Sequence, residues 1–243
     1  MFEALDPQRH GDLHLRSDFD MSSVENRGHA RLGFSEMVNA AADYPIIFMK
    51  DGTSGAFHLC ALFGFDRNRS LYALAQSWHA NWLPMDITRG PLALIKTEGD
   101  WVVGANTADP RLSKTGGQAL YNPERLPSAW LVNATSRLLA HGEDLAAADV
   151  FTENLAKAGL IAPLKVELSL SDGQVREITG LYTINKPAVQ KLEVSLAIEL
   201  LRNGALEGAF RMLGTQGQFS RLRHLFNAHS GPKILSMSLD VGI

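Results

Sequence analysis

The sequence predicts an α+β fold: a curled, mainly antiparallel sheet from the first half, with helices and a β-hairpin from the second. Three observations carry this reading. Short apolar runs bounded by turn residues recur between residues 46 and 103. Helical spacing of apolar residues begins after residue 127. Strict alternation at Leu164, Val166, Leu168 and Leu170 is followed by Asp172-Gly173, a hairpin signal.

Along the chain, residues 12–16 alternate as a short strand with Leu13 and Leu15 on one face. Residues 34–42 predict a short helix with Ser35 as its N-cap, ended at Tyr44-Pro45 because the residue before proline avoids the helical region. Residues 46–49 form an apolar strand closed by Lys50-Asp51-Gly52, and residues 57–65 a second closed by Asp66-Arg67-Asn68. Residues 71–74 and 92–95 read as further strands, and Glu98-Gly99-Asp100 turns the chain into 101–103. Three prolines and a Gly-Gly pair make 109–127 an irregular connection. Helices are expected over 128–139 and 145–159, the latter capped by Gly159. Residues 175–182 return the hairpin, and Pro187 opens a helical portion that reaches His229 with glycines at 204, 208, 214 and 217. The apolar tail 234–243 is suited to docking on the body or to self-association. Because 109–127 is not linker-like in composition, one unit over 1–243 is expected. The alternative is a β-rich part, 1–108, and a helical part, 128–243, containing the hairpin 164–182.

With 243 residues and 45% hydrophobic side chains, the chain can bury a sizeable core. A net charge of −3 argues against nucleic-acid binding by phosphate neutralisation. The single Cys60 excludes an intrachain disulfide and a thiolate metal cage. The N-terminal residues lack the apolar core of a signal peptide, and no stretch approaches the roughly 20 apolar residues of a spanning helix. A cytoplasmic setting is the expectation.

The chemical motifs are few. His10, Asp12 and His14 would share one face of a strand and could chelate a metal, although no strands precede them to form a dioxygenase barrel. A solvated or hydrogen-bonded edge is the plainer reading, and no metal is expected there. Cys60 sits within an apolar run, where the role of a small buried hydrophobe is expected, and no Cys/His dyad with the nearby His58 is expected. Gly52-Thr53-Ser54-Gly55 is a turn without the lysine of a phosphate loop. No catalytic residue and no cofactor emerge. The densest chemistry is Trp78, His79, Trp82, Pro84 and Arg89, with Tyr72 upstream. Such a run either plugs the end of a sheet or forms a recognition surface. If the latter, Tyr44 and Arg16 are its expected neighbours. Arg211, Arg221, Arg223 and His224 read as a solvated basic surface, with an acidic partner as the alternative.

Several segments together resemble the SapC family of bacterial proteins over nearly the whole chain. They are His10-Gly-Asp-Leu-His-Leu-Arg16, Asp43-Tyr-Pro-Ile-Ile-Phe48 and Ala61-Leu-Phe-Gly-Phe65 with Asn68 to Tyr72. Trp82-Leu-Pro84 leading to Arg89-Gly-Pro-Leu92, Asp172-Gly173, and Gly180-Leu-Tyr182 with Ile184-Asn185 complete the set. Gly90 stands where the family often has an aromatic, and Asn185-Lys186 where it has an acidic pair. The resemblance brings no agreed catalytic residues. It implies a connection to the surface layer by name. It also implies neighbours that include flavin-dependent halogenase-like proteins, dioxygenase-like proteins and TonB-dependent receptors. The expected function is therefore a non-catalytic binding or accessory protein that partners a modification enzyme or a surface-uptake system. The alternatives are a metal-dependent enzyme using His10, Asp12 and His14, and a structural surface-layer component.

Overall fold

A computed structural model of the chain describes residues 2–16, 21–75 and 77–242. Among these residues every strand pairing is antiparallel and no sheet closes on itself, the α+β class expected. The largest sheet runs in the order Ile234–Val241, Ile161–Leu170, Val175–Ile184, Ile46–Lys50, Phe57–Leu62 and His29–Arg31.

The centre of that sheet is the predicted hairpin. Leu164, Val166, Leu168 and Leu170 are all buried, and the register runs from Ile161 opposite Ile184 to Ser169 opposite Val175. Gly173 sits at φ +84°, a conformation open to glycine at little cost. The C-terminal tail docks rather than standing free, with Leu164 opposite Val241 and Leu170 opposite Ile234. Its last residue, Ile243, lies outside the described residues. Half of the six strands therefore come from the second half of the sequence. The hairpin joins the first-half strands through Leu181 opposite Met49 and Tyr182 opposite Phe48.

Other local expectations shift. The helix expected over 34–42 shortens to Met37–Ala40 and starts at Glu36, whose carboxylate accepts the Gly33 N–H at 2.8 Å. The two helices expected over 128–139 and 145–159 are one, Ala129–Lys157. Gly142 costs such a helix about 1 kcal/mol relative to alanine. Burial of Leu131 and Leu138 before it, and of Ala148, Phe151 and Leu155 after it, outweighs that penalty. The helix ends as predicted: Gly159 adopts φ +67°, the Leu160 N–H donates to Leu155 C=O, and the Gly159 N–H donates to Ala156 C=O.

The chain groups into two compact units that interleave in sequence. One comprises Met1–Asp20 and Met85–Asp144, the other Met21–Pro84 and Leu145–Ile243. The division does not fall at 109–127, because that stretch contributes strands to the first unit: Leu112–Ser113 and Gln118–Ala119 flank His14–Leu15. In the same unit Glu3–Ala4 pairs with Asp100–Ala105, which forms a hairpin with Leu92–Thr97. These elements and the helix bury Leu15, Leu92, Ala105, Leu120, Tyr121, Leu131 and Leu138 as one cluster. The second unit contains the six-stranded sheet and the helices Val194–Arg202, Ala205–Gly214 and Gln218–Ala228.

Nothing lies within 4 Å of where a Cβ at Gly159 would project, so its dihedral alone sets the cost of a side chain there. Gly159→Ala should lower stability by about 1 kcal/mol, read by urea unfolding. A neutral result would mean the cap does not fix the helix end.

Candidate functional site

In the larger unit the aromatic run is organised by a carboxylate. Asp43 is 0% exposed and accepts from the backbone N–H groups of Asn81 (2.9 Å) and Trp82 (3.2 Å) and from Asn81 Nδ2 (3.1 Å). Arg221 completes the set, donating through Nη1 to Asp43 at 2.8 Å and through Nη2 to the His79 C=O at 2.8 Å. Its guanidinium lies 5.7 Å from the Tyr72 ring centroid. The Tyr72 hydroxyl donates to the Asp43 C=O, and the Tyr44 hydroxyl donates to the Trp82 C=O while accepting from Trp78 Nε1 at 3.1 Å. Trp78 stacks on Tyr72 at 5.6 Å and meets Phe63 edge-on at 5.2 Å.

These bonds revise the sequence reading. Tyr44 and Pro84 are buried and cannot form a contact surface, while Trp78 and Trp82 are half-buried. Arg221 is not a solvated cation but the partner of a buried charge. Asp43 stood in the sequence only as the first residue of a segment of the family resemblance, and its role as a buried charge was not legible because its partners lie at residues 81, 82 and 221. Burial raises the Tyr44 and Tyr72 phenols well above their ordinary value.

The metal-site alternative loses its geometry. Asp6 caps a short helix, Pro7–His10, with Oδ1 accepting the Gln8 N–H at 2.7 Å, so His10 is helical and the strand shrinks to His14–Leu15. His10 is buried with Nδ1 accepting the Asp6 N–H, whereas Asp12 is exposed beside Arg125. The three side chains share no strand face. Among the described residues no cluster of three or more His, Cys, Asp or Glu side chains is placed to hold a metal ion. Cys60 is buried, and His58 lies 3.4 Å from Asp149.

Sequence reasoning singled out Arg16 and Arg89 as parts of one aromatic surface. Both instead line a cleft of about 320 Å³ within the smaller unit, together with Arg111 and Arg137. Strand pairing sets Arg111 beside Arg16, whose N–H donates to the Arg111 C=O at 3.0 Å. Arg89 follows the helical turn Met85–Thr88 and is held by Asp86, Nε at 3.1 Å and Nη2 at 3.0 Å, with Nη1 on the Leu92 C=O. Arg111 is 9% exposed and grips Asp109 through Nε (2.9 Å) and Nη2 (2.7 Å). That contact holds the Asp109 carboxyl below the usual carboxylate range. A side chain at Gly90 (φ +61°) would lie against the Arg111 guanidinium, its Cβ 3.5 Å from Nη1. Trp130, Ala134, Arg137 and Leu138 follow helical spacing and form one wall. Leu15, Leu92 and Leu138 belong both to the wall and to the core cluster, so the floor of the cleft is the outer face of the core.

Two outcomes follow from the buried groups. Arg221→Ala strands a wholly buried carboxylate and should cost about 3–5 kcal/mol by urea unfolding, part of it recovered when Asp43→Asn is added. A loss below about 1 kcal/mol would mean the pair behaves as a surface ion pair. Separately, phenols whose folded pKa is raised keep their protons while those of the unfolded chain ionise near pH 10. Their stabilisation is intact below that pH and is lost above it, by about 1.4 kcal/mol per pH unit for each phenol. Tyr72→Phe should flatten the alkaline decline; an unchanged slope would show that Tyr72 ionises in the folded state.

Among the described residues no helix is long and apolar enough to cross a membrane. Neither the curated proteins nor the solved structures contain a match to the chain. A model of the SapC family matches residues 5–222, which span the aromatic cluster and all four arginines of the cleft. The chain belongs to the SapC family.

Proposed function

We propose that the chain is a non-catalytic binding protein, an accessory to a modification enzyme or a surface-uptake system working in the cytoplasm. The observation that carries this reading is the cleft. Its lining consists of guanidinium donors and apolar side chains, with the Thr88 hydroxyl as a minor addition. Such groups hold and orient a ligand; they are poor nucleophiles and general bases. The chemistry-bearing side chains of the larger unit support the same reading, since Asp43, Tyr44, Tyr72 and Arg221 are engaged in internal bonds.

The SapC resemblance suggests the partner classes: a halogenase-like flavoprotein, a dioxygenase-like protein or a component of a TonB-dependent receptor system. Trp82 is the member of the aromatic run best placed to meet such a partner. Its side chain is half-buried, and among the described residues the hydrogen bonds that hold residue 82 are made by its backbone N–H and C=O.

Affinity capture from native cells should recover one of these proteins in stoichiometric amount. Trp82→Ala should abolish recovery and leave the melting temperature nearly unchanged, because alanine retains both backbone bonds. A large drop in melting temperature would place the indole in the core and overturn its contact role. Turnover of a substrate by the purified chain alone would overturn the non-catalytic reading.

A further inference from the structure

We infer that the arginine-lined cleft is a receptor for a small organic carboxylate with an apolar body, an inference that rests on the binding-protein reading and names its ligand class. The four guanidiniums do not play the same part. Asp86 holds Arg89 and Asp109 holds Arg111, so two of the charges are met within the fold and their planes are fixed in place. Arg137 differs. It is exposed on the helix wall, and its polar partner among the described residues is the Met85 thioether at 3.6 Å, a weak acceptor. A guanidinium satisfied only by sulfur retains nearly its whole capacity for an anion.

The anion must also suit the rest of the cleft. Met85, Leu92, Trp130 and Leu138 line it with apolar surface, and Leu92 and Leu138 are anchored in the core beneath. A bare inorganic anion would leave that surface wet, whereas an apolar body attached to the anion would cover it. The Arg137 guanidinium, met by a thioether, matches a singly charged head group, and a planar carboxylate fits its fork through two parallel hydrogen bonds. Arg137 therefore receives the carboxylate, Trp130 and Met85 pack against the body, and the Arg89 and Arg111 pairs form the fixed polar rim. The volume of about 320 Å³ lies at the lower end of small-molecule sites.

The test uses the full chain and three probes: 3-phenylpropionate, its uncharged analogue 3-phenylpropanamide, and inorganic phosphate, each followed by calorimetry at low salt. The propionate should bind saturably and more tightly than phosphate, and the amide at least about tenfold more weakly than the propionate. Arg137→Gln should weaken the propionate by at least about tenfold without moving the melting temperature, and Arg137→Lys should retain part of the affinity. Equal binding of the amide, an unaffected Arg137→Gln, tighter binding of phosphate, or no saturation of the propionate by ~10 mM would each overturn the inference. The two readings fail separately. Capture of the partner by a chain that binds no carboxylate would overturn the ligand class alone. Carboxylate binding by a chain that captures no partner would leave the ligand class standing and remove the accessory role.

Discussion

A carboxylate with no solvent exposure must have its charge met inside the protein, and Asp43 imposes that constraint on much of the larger unit. Its two oxygens are answered by Arg221, by the Asn81 side chain and by two successive backbone N–H groups. Those N–H groups belong to the segment that carries Trp82, so the ion pair fixes where the chain passes after the aromatic run. The Tyr44 and Tyr72 hydroxyls then close around the same backbone, one on the Trp82 C=O and the other on the Asp43 C=O. The aromatic rings pack at centroid distances of 4.8–6.1 Å because the polar bonds hold their edges. Replacing such a pair with well-fitted apolar groups is often neutral or stabilising. What this network specifies is the path of one loop.

This clarifies what an aromatic run in a sequence can and cannot say. Trp78, Trp82 and Tyr72 were legible as a cluster, but core and recognition surface share the same residue types. The deciding facts lay in Asp43 and Arg221, which are far apart in sequence and were read separately, one within a family-like segment and the other as part of a basic surface. The hairpin 161–184 was legible because period-two alternation and Asp172-Gly173 are local signals that packing reinforced. The helix Ala129–Lys157 was read as two because apolar spacing was legible only over 128–139 and 145–159; the residues between them are carried by the packing of both ends. The strand expected over residues 12–16 shrinks to His14–Leu15, and the Asp6 cap draws His10 into a helical turn, off the strand face it was expected to share.

The cleft was only half legible, for a topological reason. Arg16 and Arg89 each stood out beside a motif, but Arg111 followed an ordinary Asp-Pro and Arg137 lay on a helix surface. Only the pairing of residues 14–15 with 112–113, and the return of residues 85–92 within the same unit, brings them to one opening. Two of the segments that resemble the SapC pattern, 10–16 and 89–92, thus meet at the cleft although about seventy residues separate them.

An acidic chain that gathers four arginines at one opening faces a problem of repulsion, and Asp86 and Asp109 solve it. Like charges brought together raise one another's energy unless each is answered, and at about 8 Å the screening of physiological salt comes too late for neighbours in one cleft. An aspartate beside Arg89 and another beside Arg111 remove most of that cost while leaving the guanidiniums rigid. With net charge −3 the protein as a whole does not attract anions over long distances. Capture must therefore occur at short range, where geometry decides: a fixed rim, an apolar floor continuous with the core, and one guanidinium left to a thioether. Selection at such a site comes from fit and desolvation more than from steering. That favours a ligand whose apolar body and single charge are both used, over one that offers charge alone.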